Sequence, residues 1–168
     1  MIEVVKVSKQ HIPTIRALAQ EYWPVAFVSI LSASQIAYMM EMMYSYSALE
    51  EQMNRGHQFA IASRNGAKVG YMSYEIDCEG TGKTKIHKLY ITPNSQRMGV
   101  GKAMVDFVSQ QALLANNSAL FLNVNKYNNK AISFYNKHEF QLVKEEVIDM
   151  CDGFIMDEYV FERALAQH

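Results

Sequence analysis

Two stretches of this chain place chemically useful residue types at useful spacings. In Gln96-Arg97-Met98-Gly99-Val100-Gly101 two glycines stand one residue apart, where a strand-like run (86–91) gives way to an amphipathic helical pattern. Glycine brings no Cβ and adopts backbone angles closed to other residues, so main-chain N–H groups can approach an anion. The following helix would aim its unpaired N–H groups and positive dipole end at the same spot. The arrangement implies a pyrophosphate cradle. About thirty residues on, Asn128-Asn129-Lys130-Ala131-Ile132-Ser133-Phe134-Tyr135 carries an amide and a phenol seven residues apart. Asn128, Ala131 or Ile132, and Tyr135 share one helix face, with Asn128 and Tyr135 roughly 10 Å apart along it. Both could touch one extended ligand.

Two better-known glycine motifs fail. A dinucleotide fingerprint needs a third glycine where Met104 stands, and a Walker A loop needs glycine at Gln96 and Ser or Thr at Ala103. The remaining pattern, Gln-x-x-Gly-x-Gly, resembles the acetyl-CoA loop of the GCN5-related N-acetyltransferases (the GNAT superfamily). Asn-x-x-Ala-x-x-x-Tyr followed by Phe140 resembles that family's second signature, with Glu139 where the family has glycine. That departure falls on a helix-end turn.

The resemblance implies residue roles. Leu89, Tyr90 and Ile91 would bind the pantetheine arm, the Ile91 region offering an N–H to the thioester oxygen. Arg97, Met98, Gly99, Val100, Gly101 and Lys102 would take the phosphates, with Asn123 and Asn128 as further coenzyme contacts. Tyr135 would be the general acid beside the sulfur. A phenol with a reference pKa near ~10 is protonated at neutral pH and suits a donor. His87 is the candidate base, since histidine titrates near neutrality. Glu75 on the preceding strand is the fallback, and ordered water carrying the proton out is a third possibility.

The elements that must position these residues follow the family order. Ile2 to Val7 reads as a strand, and Ser8 starts a helix that Pro24 helps to end. Ser34 and Ser47 start two more helices, reaching Tyr44 and Arg55. Residues 58–63 turn at Asn65-Gly66, a strong hairpin signal, into 69–77. Strand 85–91, the glycine loop, a helix to about Ala115, strand 119–124, the Asn128 helix and strands 141–148 and 154–161 complete the chain. The resemblance implies an α+β GNAT fold: a mixed, mostly antiparallel sheet, splayed around the acetyl-CoA loop, with helices on both faces. Residues 1–168 read as a single domain.

Composition narrows the class. The chain has 168 residues, 49% hydrophobic and 20% charged, with a formal net charge of -1. That fits a folded domain and argues against a nucleic-acid binder. No apolar run approaches the ~18 residues of a membrane span. Cys78 and Cys151 form neither a metal spacing nor a disulfide framework, so the expectation is reduced thiols in a cytoplasmic protein and no metal. The run Met39, Met40, Met42, Met43 fits core packing or an adaptable binding surface.

The acceptor should enter between the N-terminal helices and the closing hairpin. Tyr22, Trp23, Phe27, Tyr44 and Tyr46 lie on one side, with Asp149, Asp152, Asp157 and Glu158 on the other. Aromatic faces with carboxylates suit a cation. A polyamine or other small primary amine is the leading acceptor, and the chain loosely resembles bacterial spermidine/spermine-type N-acetyltransferases. A peptide α-amine acceptor and a non-catalytic acetyl-CoA sensor are the alternatives. The apolar residues between Phe154 and Phe161 would allow a homodimer or serve the chain's own core.

Overall fold

The computed structural model describes residues 1–149 and 155–166. Met150, Cys151, Asp152, Gly153, Phe154, Gln167 and His168 lie outside them, and with them the expectations for Cys151, Asp152 and Phe154. Seven strands form one sheet: β1 (Ile2–Val7), β2 (Gln58–Arg64), β3 (Ala67–Glu75), β4 (Thr84–Ile91), β5 (Ala119–Asn125), β6 (Gln141–Asp149) and β7 (Ile155–Ala164). Five α-helices accompany them: α1 (Ile12–Ala26), α2 (Ala33–Tyr44), α3 (Tyr46–Asn54), α4 (Val100–Leu114) and α5 (Asn129–Lys137). The strand order is β1-β2-β3-β4-β5-β7-β6. Every neighbouring pair is antiparallel except β4 and β5.

Strand alternation sorts side chains to two faces. Met72, Tyr74, Ile86, Leu120 and Leu122 meet Val100, Met104, Val105 and Val108 of α4 on one. Phe59, Ile61 and Tyr71 meet Ile12, Ile15, Trp23 and Leu49 of the N-terminal helices on the other. Each such aliphatic side chain contributes about 1.5–3 kcal/mol by leaving water.

The parallel pairing decides the site. β4 and β5 are in register only at Thr84–Leu120, Lys85–Phe121 and Ile86–Leu122. Beyond that β4 pairs with β3 alone, up to Gly70–Ile91, and β5 with β7 alone. A bulge begins the divergence: Ile86 faces Tyr74 and Lys88 faces Ser73, leaving His87 without a partner position. Such a bulge bends and twists its strand, re-aiming the residues beyond it. The facing backbone edges of β4 and β5 are therefore free where the strands splay.

Element boundaries follow local chemistry, and those of α1, α2 and α3 depart from expectation for identifiable reasons. α1 runs past Pro24 to Ala26, and the Phe27 N–H still bonds to the Trp23 carbonyl at 3.0 Å. Burial of Trp23 and Phe27 outweighs the proline. α2 and α3 start earlier than Ser34 and Ser47. Ser32 and Gln35 form a capping box, and the Ser45 hydroxyl accepts from the Ala48 N–H at 3.2 Å. The Asn65-Gly66 hairpin is as expected, both residues having positive φ (53° and 87°). No helix among the described residues is long and apolar enough to cross a membrane.

Candidate active site

The glycine loop leaves β4 and opens α4 through two left-handed residues, Arg97 (φ 65°) and Gly99 (φ 87°). Gly99 is the N-cap of α4 and provides no side-chain cap. The first backbone acceptor engaged is the Gly99 carbonyl, which takes the Ala103 N–H at 3.1 Å. The N–H groups of Val100, Gly101 and Lys102 therefore have no partner within the helix and point outward with the dipole. Arg97, Met98 and Lys102 stand exposed around them. This is a fit for pyrophosphate.

Gly101 has a packing role beside the one its motif implies. It is buried, and a Cβ there would lie 2.5 Å from Cε1 of Phe134 and 3.3 Å from Cδ1 of Ile91. Its missing side chain lets the start of α4 pack directly on α5, while Gly99 supplies the turn. Gln96 ties the loop down: its amide donates to the Ile91 carbonyl at 3.2 Å, and its oxygen accepts from Lys130 of α5 at 2.9 Å.

α5 presents Tyr135. Nine residues are too few for a stable isolated helix, so its ends matter. Asn128 is the N-cap and not an in-helix residue, as its spacing had implied; its side chain accepts from the Ala131 N–H at 3.2 Å. At the other end Phe140 N–H bonds to the Tyr135 carbonyl (3.0 Å) and Glu139 N–H to that of Asn136 (3.3 Å). This is a Schellman motif, with Glu139 at φ 69° in the place that favours glycine. Phe140 closes it by packing edge-on against Tyr135, ring centroids 5.3 Å apart.

A cavity of about 100 Å³ opens between the splayed strands. Tyr135, Asn128, Asn123 and Asn125 line one side, Trp23, Phe27 and Tyr90 the other, with Met39, Met43, Met156 and Glu158 around them. The Tyr135 hydroxyl has no hydrogen-bond partner among the described residues. Burial, with Tyr22 adding to it, pushes its pKa above the ordinary phenol value, so it stays protonated.

The model of the acetyltransferase (GNAT) family matches residues 13–140. The chain belongs to the GNAT family. It is an N-acetyltransferase with acetyl-CoA as donor. An uncharacterized N-acetyltransferase in the pepI 3' region of Lactobacillus delbrueckii subsp. lactis is 22% identical, over 98% of both chains. Among solved structures, PaiA N-acetyltransferase from Thermoplasma acidophilum, in complex with coenzyme A, has the same fold. That match has a TM-score of 0.82 and 21% identity, covering 98% of this chain and 99% of that one. The ribosomal-protein-S18-alanine N-acetyltransferase of Escherichia coli also shares the fold, at TM-score 0.74 and 14% identity, over 100% and 96% of the two chains.

The acetyltransferase does not gather all the anticipated residues in one place. Leu89, Tyr90 and Ile91 lie on the free edge of β4, but the Tyr90 ring packs into the aromatic core, 4.6 Å from that of Tyr22. The Asn123 amide is held by Glu146 (3.1 Å) and Glu158 (3.3 Å). His87 sits elsewhere, beside His57 and Glu75 in a second cavity. Burial first, then Lys85 and Lys88, lowers its pKa to about 3. A ring so hard to protonate is a poor proton acceptor. Among the anticipated acceptor-side groups, Tyr44 is sealed in the core, taking hydrogen bonds from Trp23 and Tyr71, and Tyr46 is exposed. Met39 is core, as the packing reading expects, with Met40 and Met43 packed against it, and Met39 and Met43 also line the cavity.

Glu158 is the residue whose part the sequence left diffuse. It is the one carboxylate lining this cavity among the described residues. Burial raises its pKa, against the Asn123 hydrogen bond that lowers it. A single acid among four near the hairpin gave no reason to prefer it. Only the pairing of Asn125 with Glu158 places it across from the Asn128 segment.

Proposed function

We propose that residues 1–168 act as one domain that acetylates a small, cationic primary amine, with a polyamine as the leading candidate. The observation that carries this reading is the Glu158 carboxylate beside Trp23, Phe27 and Tyr90 in the cavity that also holds Tyr135. Aromatic faces and a carboxylate attract an alkylammonium. A cavity of about 100 Å³ has more room for an unbranched alkylamine than for a peptide backbone.

In this reading Arg97 through Lys102 hold the coenzyme phosphates, and the free edge at Leu89–Ile91 holds the pantetheine arm. Asn123 and Asn128 flank it. Glu158 anchors the ammonium and accepts its proton, directly or through water, in place of His87. The neutral nitrogen attacks the thioester carbonyl carbon, the carbon–sulfur bond breaks, the Tyr135 hydroxyl protonates the departing thiolate, and the surplus proton on the newly acylated nitrogen returns to the Tyr135 oxygen, directly or through water. β6, the edge strand, exposes Leu142, Val143 and Val147 and offers a surface for a second copy, which sizing against a Val147→Lys variant would test.

The test is thiol release from acetyl-CoA against polyamines, other small amines and N-terminal peptides. Turnover with alkylamines, lost in Glu158→Gln, is the expected result. Turnover with peptides alone would move the assignment to an α-amine acceptor. Tight acetyl-CoA binding with no release from any amine would favour a sensor.

A further inference from the structure

Three asparagines line the cavity with Tyr135, and they differ in what their amides are free to do. Asn123 spends its Nδ2 hydrogens on Glu146 and Glu158. Asn128 is half-buried and caps α5. Asn125, the last residue of β5, is 7% exposed. Its Oδ1 accepts the Tyr127 main-chain N–H at 2.9 Å. Only the oxygen of an amide can accept that hydrogen, so the orientation of the group is fixed and Nδ2 is turned away from Tyr127. Neither Nδ2 hydrogen has a partner among the described residues. The unpaired side-chain atoms sealed from solvent among those residues are His57 Nδ1, Ser73 Oγ and Ser109 Oγ, so Asn125 Nδ2 is open. On a residue so buried, the opening is the cavity that it lines.

The strands set where that donor stands. Asn125 pairs with Glu158 of β7, and its own carbonyl takes the Asn128 N–H at 3.0 Å, so main chain and side chain are both held. Across the splay, the register that leaves Ile86–Leu122 and passes the bulge brings Asn125 about level with Leu89 and Tyr90. Tyr90 lines the same cavity. The free β4 edge and Asn125 Nδ2 thus flank one gap from two strands, with Tyr135 and Glu158 beside it. An amide held in place with its donors unspent needs no reorganisation when negative charge develops next to it.

We propose that Asn125 is a catalytic residue of the acetyltransferase, its Nδ2–H donating to the thioester oxygen alongside a main-chain N–H of the Leu89–Ile91 edge. As the amine nitrogen bonds to the carbonyl carbon, the C=O π pair moves onto that oxygen, and the two N–H groups hold the charge. When the pair returns, the carbon–sulfur bond breaks and the sulfur takes its proton from Tyr135. Asn125 gives up no proton and ends the cycle unchanged. This role rests on the proposed seat of the coenzyme arm along β4 and is indifferent to which amine attacks.

The experiment joins steady-state kinetics to infrared difference spectra of bound acetyl-CoA labelled with carbon-13 at the thioester carbonyl. The spectra need no acceptor. Asn125→Asp keeps an oxygen for the Tyr127 N–H and removes the donor. In the wild type the bound carbonyl stretch should fall below that of free acetyl-CoA, and in Asn125→Asp it should move back toward the free value. With any amine that is turned over, kcat should drop about 10²-fold or more, while acetyl-CoA affinity is retained. Asn125→Ala, which adds no charge, should give the same changes, and it decides if Asn125→Asp fails to fold. A stretch lowered equally in wild type and folded variants, or an unchanged kcat, would overturn the role of Asn125 and leave the coenzyme seat standing. Weaker acetyl-CoA binding at unchanged kcat would do the same, since Nδ2 would then hold the pantetheine arm. No lowering in the wild type would overturn both, because the thioester would lie elsewhere.

Discussion

At Tyr135 burial holds the phenol in its protonated form at neutral pH. The ring is almost fully buried and lines the cavity, and its hydroxyl has no hydrogen-bond partner among the described residues. Tyr135→Phe should lower kcat by about 10²-fold or more with acetyl-CoA affinity little changed, as stopped-flow and calorimetry would read. Glu158 presents the opposite balance. Its pKa is raised in the folded state, so its contribution to stability is full below the unfolded pKa and is lost as pH rises through the folded value. Glu158→Gln should accordingly raise the melting temperature at neutral pH while lowering kcat/KM for a cationic amine. A variant less stable than wild type at pH 7.5 would contradict that account.

The elements that carry these groups are set by a few backbone positions. Glu139 holds a left-handed conformation costing about 1–2 kcal/mol for a residue with a Cβ, and glycine loses part of the gain through unfolded-chain entropy. Glu139→Gly should stabilise the fold by about 0.5–1 kcal/mol in urea denaturation. The contrary case is Gly101. With Phe134 at 2.5 Å from any added Cβ, Gly101→Ala must push α4 away from α5. We expect a loss of about 1–3 kcal/mol together with weaker coenzyme binding, since the cradle and Tyr135 lean on the same contact. Thermal melts and a binding isotherm would show whether the two losses occur together.

Across the whole molecule, Lys88 shows how far the sheet is covered on the side of the N-terminal helices. It is 4% exposed, donates to Gln52 at 2.7 Å, and lies over the rings of Tyr44 and Phe59. Burial lowers its pKa to about 7. Between that value and the unfolded lysine value the unfolded chain binds more protons, so stability rises with pH. Relative to Lys88→Met, the wild type should gain at most about 1.4 kcal/mol per pH unit above pH 7. Equal pH profiles would show that the ammonium is accommodated without cost.

The sequence alone determined what depends on contiguous residues. The glycine cradle, the Asn128–Tyr135 helix, the Asn65-Gly66 hairpin and the order of strands and helices all rest on local backbone chemistry and on periodicity, and these are written in neighbouring letters. Even the Ser32-x-x-Gln35 cap is written in neighbouring letters. The tertiary structure alone decided what depends on distance between strands. It placed His87 with His57 and Glu75, because a bulge re-aims one residue of β4. It picked Glu158 from among several acids, because β7 pairs with β5 in one register. It gave Gly101 to Phe134, because α4 and α5 meet there. Pairing, register and close approach join residues tens of positions apart, and no local pattern encodes them.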